Sequence, residues 1–138
     1  MKKVRGYMFS REFMGERVPQ HIQNQVIRNY CAENNYQYLL SSVEYAIPNC
    51  QLILNQVINE KGINGIGLYS IFQLPENNEK RYLFLKKVIS KKLFVCFCSE
   101  NFILNKYLDI ERVNNIWLIK KKINDNKDVI RFVLNKLN

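Results

Sequence analysis

The chain reads as a single three-layer α/β domain built on a mostly parallel sheet of four to five strands. Three observations carry that expectation. Short apolar runs alternate with helical patterns as far as residue 100, giving the order βαβαβαβ, which places helices on both faces of a parallel sheet. At 138 residues the chain is long enough to bury a core and short for two domains. No repeat, low-complexity segment or linker interrupts it, so residues 1–138 form one domain, with 1–100 as its core and 101–138 as a C-terminal strand and helix extension.

"KVRGYMF" (3–9) is the first strand. Pro19 suits the first turn of a helix that runs to about Asn34. "YQYLLSS" (36–42) is the second strand, and residues 49–60 form the second helix. "GINGIGLYS" (62–70) is the third strand, its glycines pointing to close packing or a tight turn, and residues 76–91 form the third helix. "KLFVCFCSE" (92–100) is the fourth strand. Beyond it, "NIWLIK" (115–120) reads as a fifth strand, while residues 101–114 give no clear signal. The last helix starts near Asn124 or Asp125 as cap and carries Val129, Ile130, Val133, Leu134 and Leu137 as its apolar stripe.

Charge comes next. Lys+Arg number 21 against 12 Asp+Glu, a formal net charge of +9 that favours anionic partners without choosing among phosphates, nucleotides, acidic sugars and nucleic acid. Paired lysines such as Lys86-Lys87 and Lys91-Lys92 read mainly as solvated surface. No stretch approaches the ~20 apolar residues that span a bilayer. The run after Val4 is broken by Arg5, Ser10 and Arg11, unlike a signal peptide. The expectation is a cytoplasmic protein, not inserted in a membrane, with reduced cysteines. Cys31, Cys50, Cys96 and Cys98 form no C-x-x-C pair and read as core or near-core residues, and with one histidine no metal site is expected. No cofactor motif is present either: there is no G-x-G-x-x-G and no Walker lysine.

In open α/β sheets, ligands bind beyond the carboxyl ends of the strands, where the winding reverses. The loops at that edge are residues 9–19, 42–49 and 70–76, and they are chemically the most distinctive in the chain. The first offers Ser10, Arg11 and Arg17 beside a helix N-terminus, a seat for phosphate or carboxylate, although Ser10 also suits a plain turn and the arginines a plain surface. On the first helix, Gln23 falls within the apolar face of Ile22, Val26, Ile27, Tyr30 and Cys31, with Gln20 at its edge. A glutamine there needs a partner, either a substrate or loop backbone. His21 lies on the opposite side, as a proton-transfer group if the loop folds over it and otherwise as a surface residue. The second loop supplies Glu44 and Tyr45, Glu44 being a base, a ligand for sugar hydroxyls or an ion-pair partner of Arg11 or Arg17. The third supplies Tyr69, Ser70 and Gln73.

The blocks "GYMFSREFMGERVPQHIQNQVIRNYC", "SSVEYAIPNC" and "GIGLYSIFQLP" resemble signature blocks of the bacterial sporadic carbohydrate cluster protein family over residues 5–100. That resemblance implies a role in surface-polysaccharide assembly, in lipopolysaccharide O-antigen or capsule clusters. It adds Asn24 to the site and points to Ser10, Arg11, Arg17, Gln20, His21, Glu44, Tyr45, Tyr69, Ser70 and Gln73. A second resemblance, to the catalytic domain of serine resolvases, rests on the strand–helix alternation, on Ser10 after the first strand and on Gln23 in the following helix. It implies a resolvase-like or flavodoxin-like sheet. It departs at the third-strand loop, where Ser70, Ile71, Phe72 and Gln73 stand in place of that family's arginines.

The reading that follows is a protein that binds or modifies an anionic, nucleotide- or phosphate-linked sugar precursor. Ser10, His21 and Glu44 are its candidate catalytic residues. Arg11, Arg17, Gln20, Gln23, Asn24, Tyr45, Tyr69, Ser70 and Gln73 are its candidate binding residues. The alternative is a catalytically inactive resolvase-like module for DNA or a protein partner. Nucleic acid and a second copy of the chain both stay open as partners.

Overall fold

The structure is a computed structural model describing residues 1–137, the side chain of Asp128 excepted. Five strands form one sheet: β1 (Lys3–Met8), β2 (Gln37–Val43), β3 (Gly65–Leu68), β4 (Phe94–Phe97) and β5 (Phe102–Leu104). Their order is β2-β1-β3-β4-β5, parallel throughout except for the antiparallel β4–β5 pair. The helices are α1 (Gln20–Glu33), α2 (Leu52–Ile58), α3 (Asn78–Ser90) and α4 (Tyr107–Leu137), with a single 3-10 turn at Ile71–Gln73.

Two cores lie on opposite faces of the sheet. α1 buries Ile27, Tyr30 and Cys31 against Val4, Phe94, Cys96 and Cys98. On the other face, α2 (Leu54, Val57, Ile58), α3 (Phe84, Leu85, Val88) and the start of α4 (Ile110, Val113, Trp117) cover Ile66, Leu68, Val95 and Phe97. The alternation Val95/Phe97 against Cys96/Cys98 is the period-two pattern of a strand buried on both sides. Gly67 is required by packing: a Cβ there would lie 3.0 Å from an Ile27 methyl, so its absence lets α1 approach the sheet. Burial raises the thiols of Cys31 to about 11 and of Cys96 to about 12, as expected of inert core cysteines.

The C-terminal extension differs from the sequence expectation. Residues 115–120 are helix, not strand, and Asn124 and Asp125 lie inside α4 rather than capping a new helix. Ile110, Val113 and Trp117 recur at helical spacing, and no glycine or proline separates them from the later stripe, so one helix continues through. The fifth strand is instead Phe102–Leu104, a three-residue antiparallel edge after the turn at Asn101 (φ 52°). Asp109, near the start of α4, accepts from the Asn105 and Lys106 N–H groups and fixes the helix start.

Candidate functional site

β1 connects through α1 to β2 on one side, and β2 connects through α2 to β3 on the other. The winding therefore reverses between β1 and β3. At the carboxyl ends of these strands the three loops meet around an open cleft of about 620 Å³. Ser10, Arg11 and Arg17 line it from the first loop, Pro48 and Asn49 from the second, and Gln73, Pro75 and Glu76 from the third. That volume suits a mononucleotide-sized ligand.

The first loop is held by a two-residue hairpin. Phe13 and Glu16 exchange both backbone hydrogen bonds at 2.9 Å, and Met14 (φ 51°) and Gly15 (φ 76°) occupy the turn. Positive φ at both central positions is the type I′ geometry, for which Gly15 is suited and Met14 is not. The Phe13 ring packs edge-on against Tyr69, tying the hairpin to the end of β3.

Gln23 fastens the base of this loop. Fully buried, it donates to the Phe9 and Val18 carbonyls, both at 2.8 Å, and accepts from Gln73 Nε2 at 2.8 Å. Gln73 in turn accepts from the Ser70 N–H at 3.2 Å. The partner Gln23 requires is therefore loop backbone together with Gln73, and both its amide hydrogens are spent inside the fold. Ser70 donates to Glu100 at 2.8 Å, and the other Glu100 oxygen takes the Ile71 N–H at 2.8 Å, closing the 3-10 turn.

Glu44 sits on the far side of β2's end and is also committed. Its carboxylate accepts from Tyr7 Oη (2.8 Å), the Ile53 N–H (3.0 Å), the Leu54 N–H (3.2 Å) and the Tyr45 N–H (3.2 Å). Burial alone would raise its pKa. The hydrogen bonds from Ile53, Tyr7, Leu54 and Tyr45 outweigh burial and hold it below the ordinary glutamate value. A carboxylate so placed seals the first turn of α2 and is a poor base. It contacts neither Arg11 nor Arg17. Arg17 instead faces Glu12 at 3.8 Å in an exposed pair.

Arg11 is different. Its guanidinium lies 4.0 Å above the Phe9 ring, and its Nη1 is buried with no hydrogen-bond partner. Among the described residues it enters no ion pair; it stands close enough to Tyr7 to act on that phenol, so it is a cleft cation without a carboxylate partner. Ser10 is exposed beside it, and the titratable bases lining the cleft are Glu12 and Glu76.

Of the sequence-selected residues, the cleft brings together Ser10, Arg11, Arg17 and Gln73. His21 is exposed on α1 outside the lining. Gln20 is half-buried at the start of α1, and Tyr45 is exposed; neither lines the cleft. Asn24 bonds to Tyr38 and Ser41 between α1 and β2, away from the cleft. Two residues escaped the sequence reading. Glu100 was signalled by its place at the carboxyl end of β4. Buried Arg81 carried no such signal: it donates to the Pro75 and Glu76 carbonyls, Asn78 and Asn114, and stacks 3.9 Å from the Trp117 ring.

Solved structures place this architecture. The chain is similar to the N-terminal catalytic domain of TP901-1 integrase, with a TM-score of 0.64, 16% identity and coverage of 88% of this chain and 98% of that one. The fold is resolvase-like. A resolvase family site-specific recombinase from Streptococcus pneumoniae is a second neighbour, with a TM-score of 0.59, 10% identity and coverage of 97% and 98%. At these identities the likeness establishes the fold alone. No family model and no curated protein matches the chain, so the resemblance to the sporadic carbohydrate cluster family gains no support from them. Among the described residues, no helix is long and apolar enough to cross a membrane.

Proposed function

We propose that this chain is a resolvase-fold binding module that holds DNA through its phosphates without cutting it. The observation that carries this reading is the inward turn of the loop after β3. Ser70, Ile71, Gln73 and Leu74 are buried, and the polar ones among them bond to Gln23 and Glu100. That loop therefore brings no cation to Ser10. Phosphoryl transfer is catalysed almost wholly by positioning and by preorganised positive charge around the transferring group. A serine nucleophile also needs an activating base. Ser10 stands beside one arginine without a carboxylate partner, with Gln23 and Glu44 tied up elsewhere. That set suits gripping a phosphate rather than displacing its ester. The net charge of +9 supplies the wider attraction.

Titration of a fluorescent duplex across a range of salt tests the reading. Binding whose logarithm falls linearly with log salt is the expected result; affinity indifferent to salt counts against it.

A second reading places a nucleotide- or phosphate-linked sugar in the same cleft, and the partnerless Nη1 of Arg11 favours it. A thermal-shift screen with sugar nucleotides and sugar phosphates separates the two. Saturable stabilisation by one such compound, with no salt-dependent DNA complex, supports the second reading over the first.

A further inference from the structure

α4 outlasts the domain it belongs to. Among the described side chains Trp117 is its last buried one, and twenty more helical residues follow, a length of about 30 Å. Lys120 and Asn124 still touch the body, near Phe72 and Gly15 respectively. A helix left in water is normally polar all round. This one exposes Ile119, Ile123, Ile130, Val133 and Leu137 at 48–77%.

These residues are not scattered. Ile119, Ile123, Asn126, Ile130, Val133 and Leu137 follow one another at alternating intervals of four and three. That is the a/d seam of a coiled coil, broken by a single polar residue, Asn126. The flanking e and g positions hold Lys120, Lys122, Lys127, Val129, Leu134 and Lys136. Every charge on both flanks is positive.

The flanks decide the occupant. In a parallel pair with a second copy, Lys122 would face the copy's Lys127. In an antiparallel pair each lysine flank would face its own equivalent. Like charges across a seam disfavour self-pairing, whereas acidic flanks would turn each contact into an attractive one. We propose that residues 119–137 form the docking surface for an amphipathic helix of another protein, one that carries acidic residues beside its own apolar seam. Asn126 sets the register by requiring a polar residue in the facing layer. This surface is separate from the cleft and does not depend on what the cleft binds.

The test uses the full chain and two synthetic helical peptides with the same apolar seam and one seam asparagine, one flanked by glutamate and the other by lysine. Fluorescence anisotropy should show the glutamate peptide binding at least about tenfold tighter, the sum of several weak ion pairs. Ile130→Asp should abolish binding, and circular dichroism should report an intact fold because Ile130 touches no core residue. Replacing Lys120, Lys122, Lys127 and Lys136 together by glutamate should reverse the peptide preference. Sedimentation without peptide should give a monomer. Equal binding of the two peptides, or a stable dimer that Ile130→Asp dissociates, would overturn the proposal.

Discussion

Gln23 stands where a substrate-binding group was expected and instead holds the fold together through three hydrogen bonds, two to loop carbonyls and one to Gln73. Gln23→Leu keeps the volume and strands those partners in the interior. It should lower unfolding free energy by about 1–3 kcal/mol in urea denaturation. Glu44 makes a pH prediction. Its folded pKa lies below the ordinary value of 4.5. The stability it contributes is therefore complete above that value and is lost as pH falls through the folded value. Glu44→Gln should be less stable than wild type at neutral pH, with the gap closing as pH falls below 4.5 in denaturation curves. Arg11 should behave unlike both. Its Nη1 bonds to nothing in the protein and its main packing contact is the Phe9 ring, so Arg11→Ala should lower the melting temperature less than Gln23→Leu does, while weakening phosphate-ligand binding about tenfold or more in titrations. The sequence located all three residues at one sheet edge because loop position follows from strand alternation. It did not separate their roles, because residue type and spacing do not reveal which amide or carboxylate already has partners.

At the level of elements, the sequence was readable wherever a segment kept one period between turn residues. β1, β2, β3, β4, α1 and α3 all lie where their patterns placed them, within a few residues at the ends. β5 was missed because three residues, "FIL", carry too little pattern to register. α4 was split in two because its apolar positions serve two surfaces: Ile110, Val113 and Trp117 face the body, whereas Ile119 to Leu137 face outward. Arg81 belongs at this scale, since it joins the third loop, the start of α3 and α4. Its burial, with no carboxylate beside it, lowers its pKa, and its donors are spread over four partners. Arg81→Ala removes all of them and the stacking on Trp117. The expected loss is about 3 kcal/mol, read as a lower urea midpoint, with Trp117 fluorescence changed in the folded state.

For the molecule as a whole, the resolvase-like sheet and the chemistry of its cleft point different ways, as they often do, because function resides in the site rather than the fold. The serine is at the end of β1, yet the loop after β3 faces inward and is occupied by Glu100 and Gln23 through Ser70 and Gln73. The proposed activity is to grip DNA without breaking it. One measurement addresses that directly: a labelled duplex incubated with the protein at low salt and run side by side on a native gel and a denaturing detergent gel. The expected result is a retarded complex on the native gel and free, intact duplex after detergent. A detergent-resistant protein–DNA band that disappears in Ser10→Ala would contradict it, and so would a duplex left unretarded at low salt.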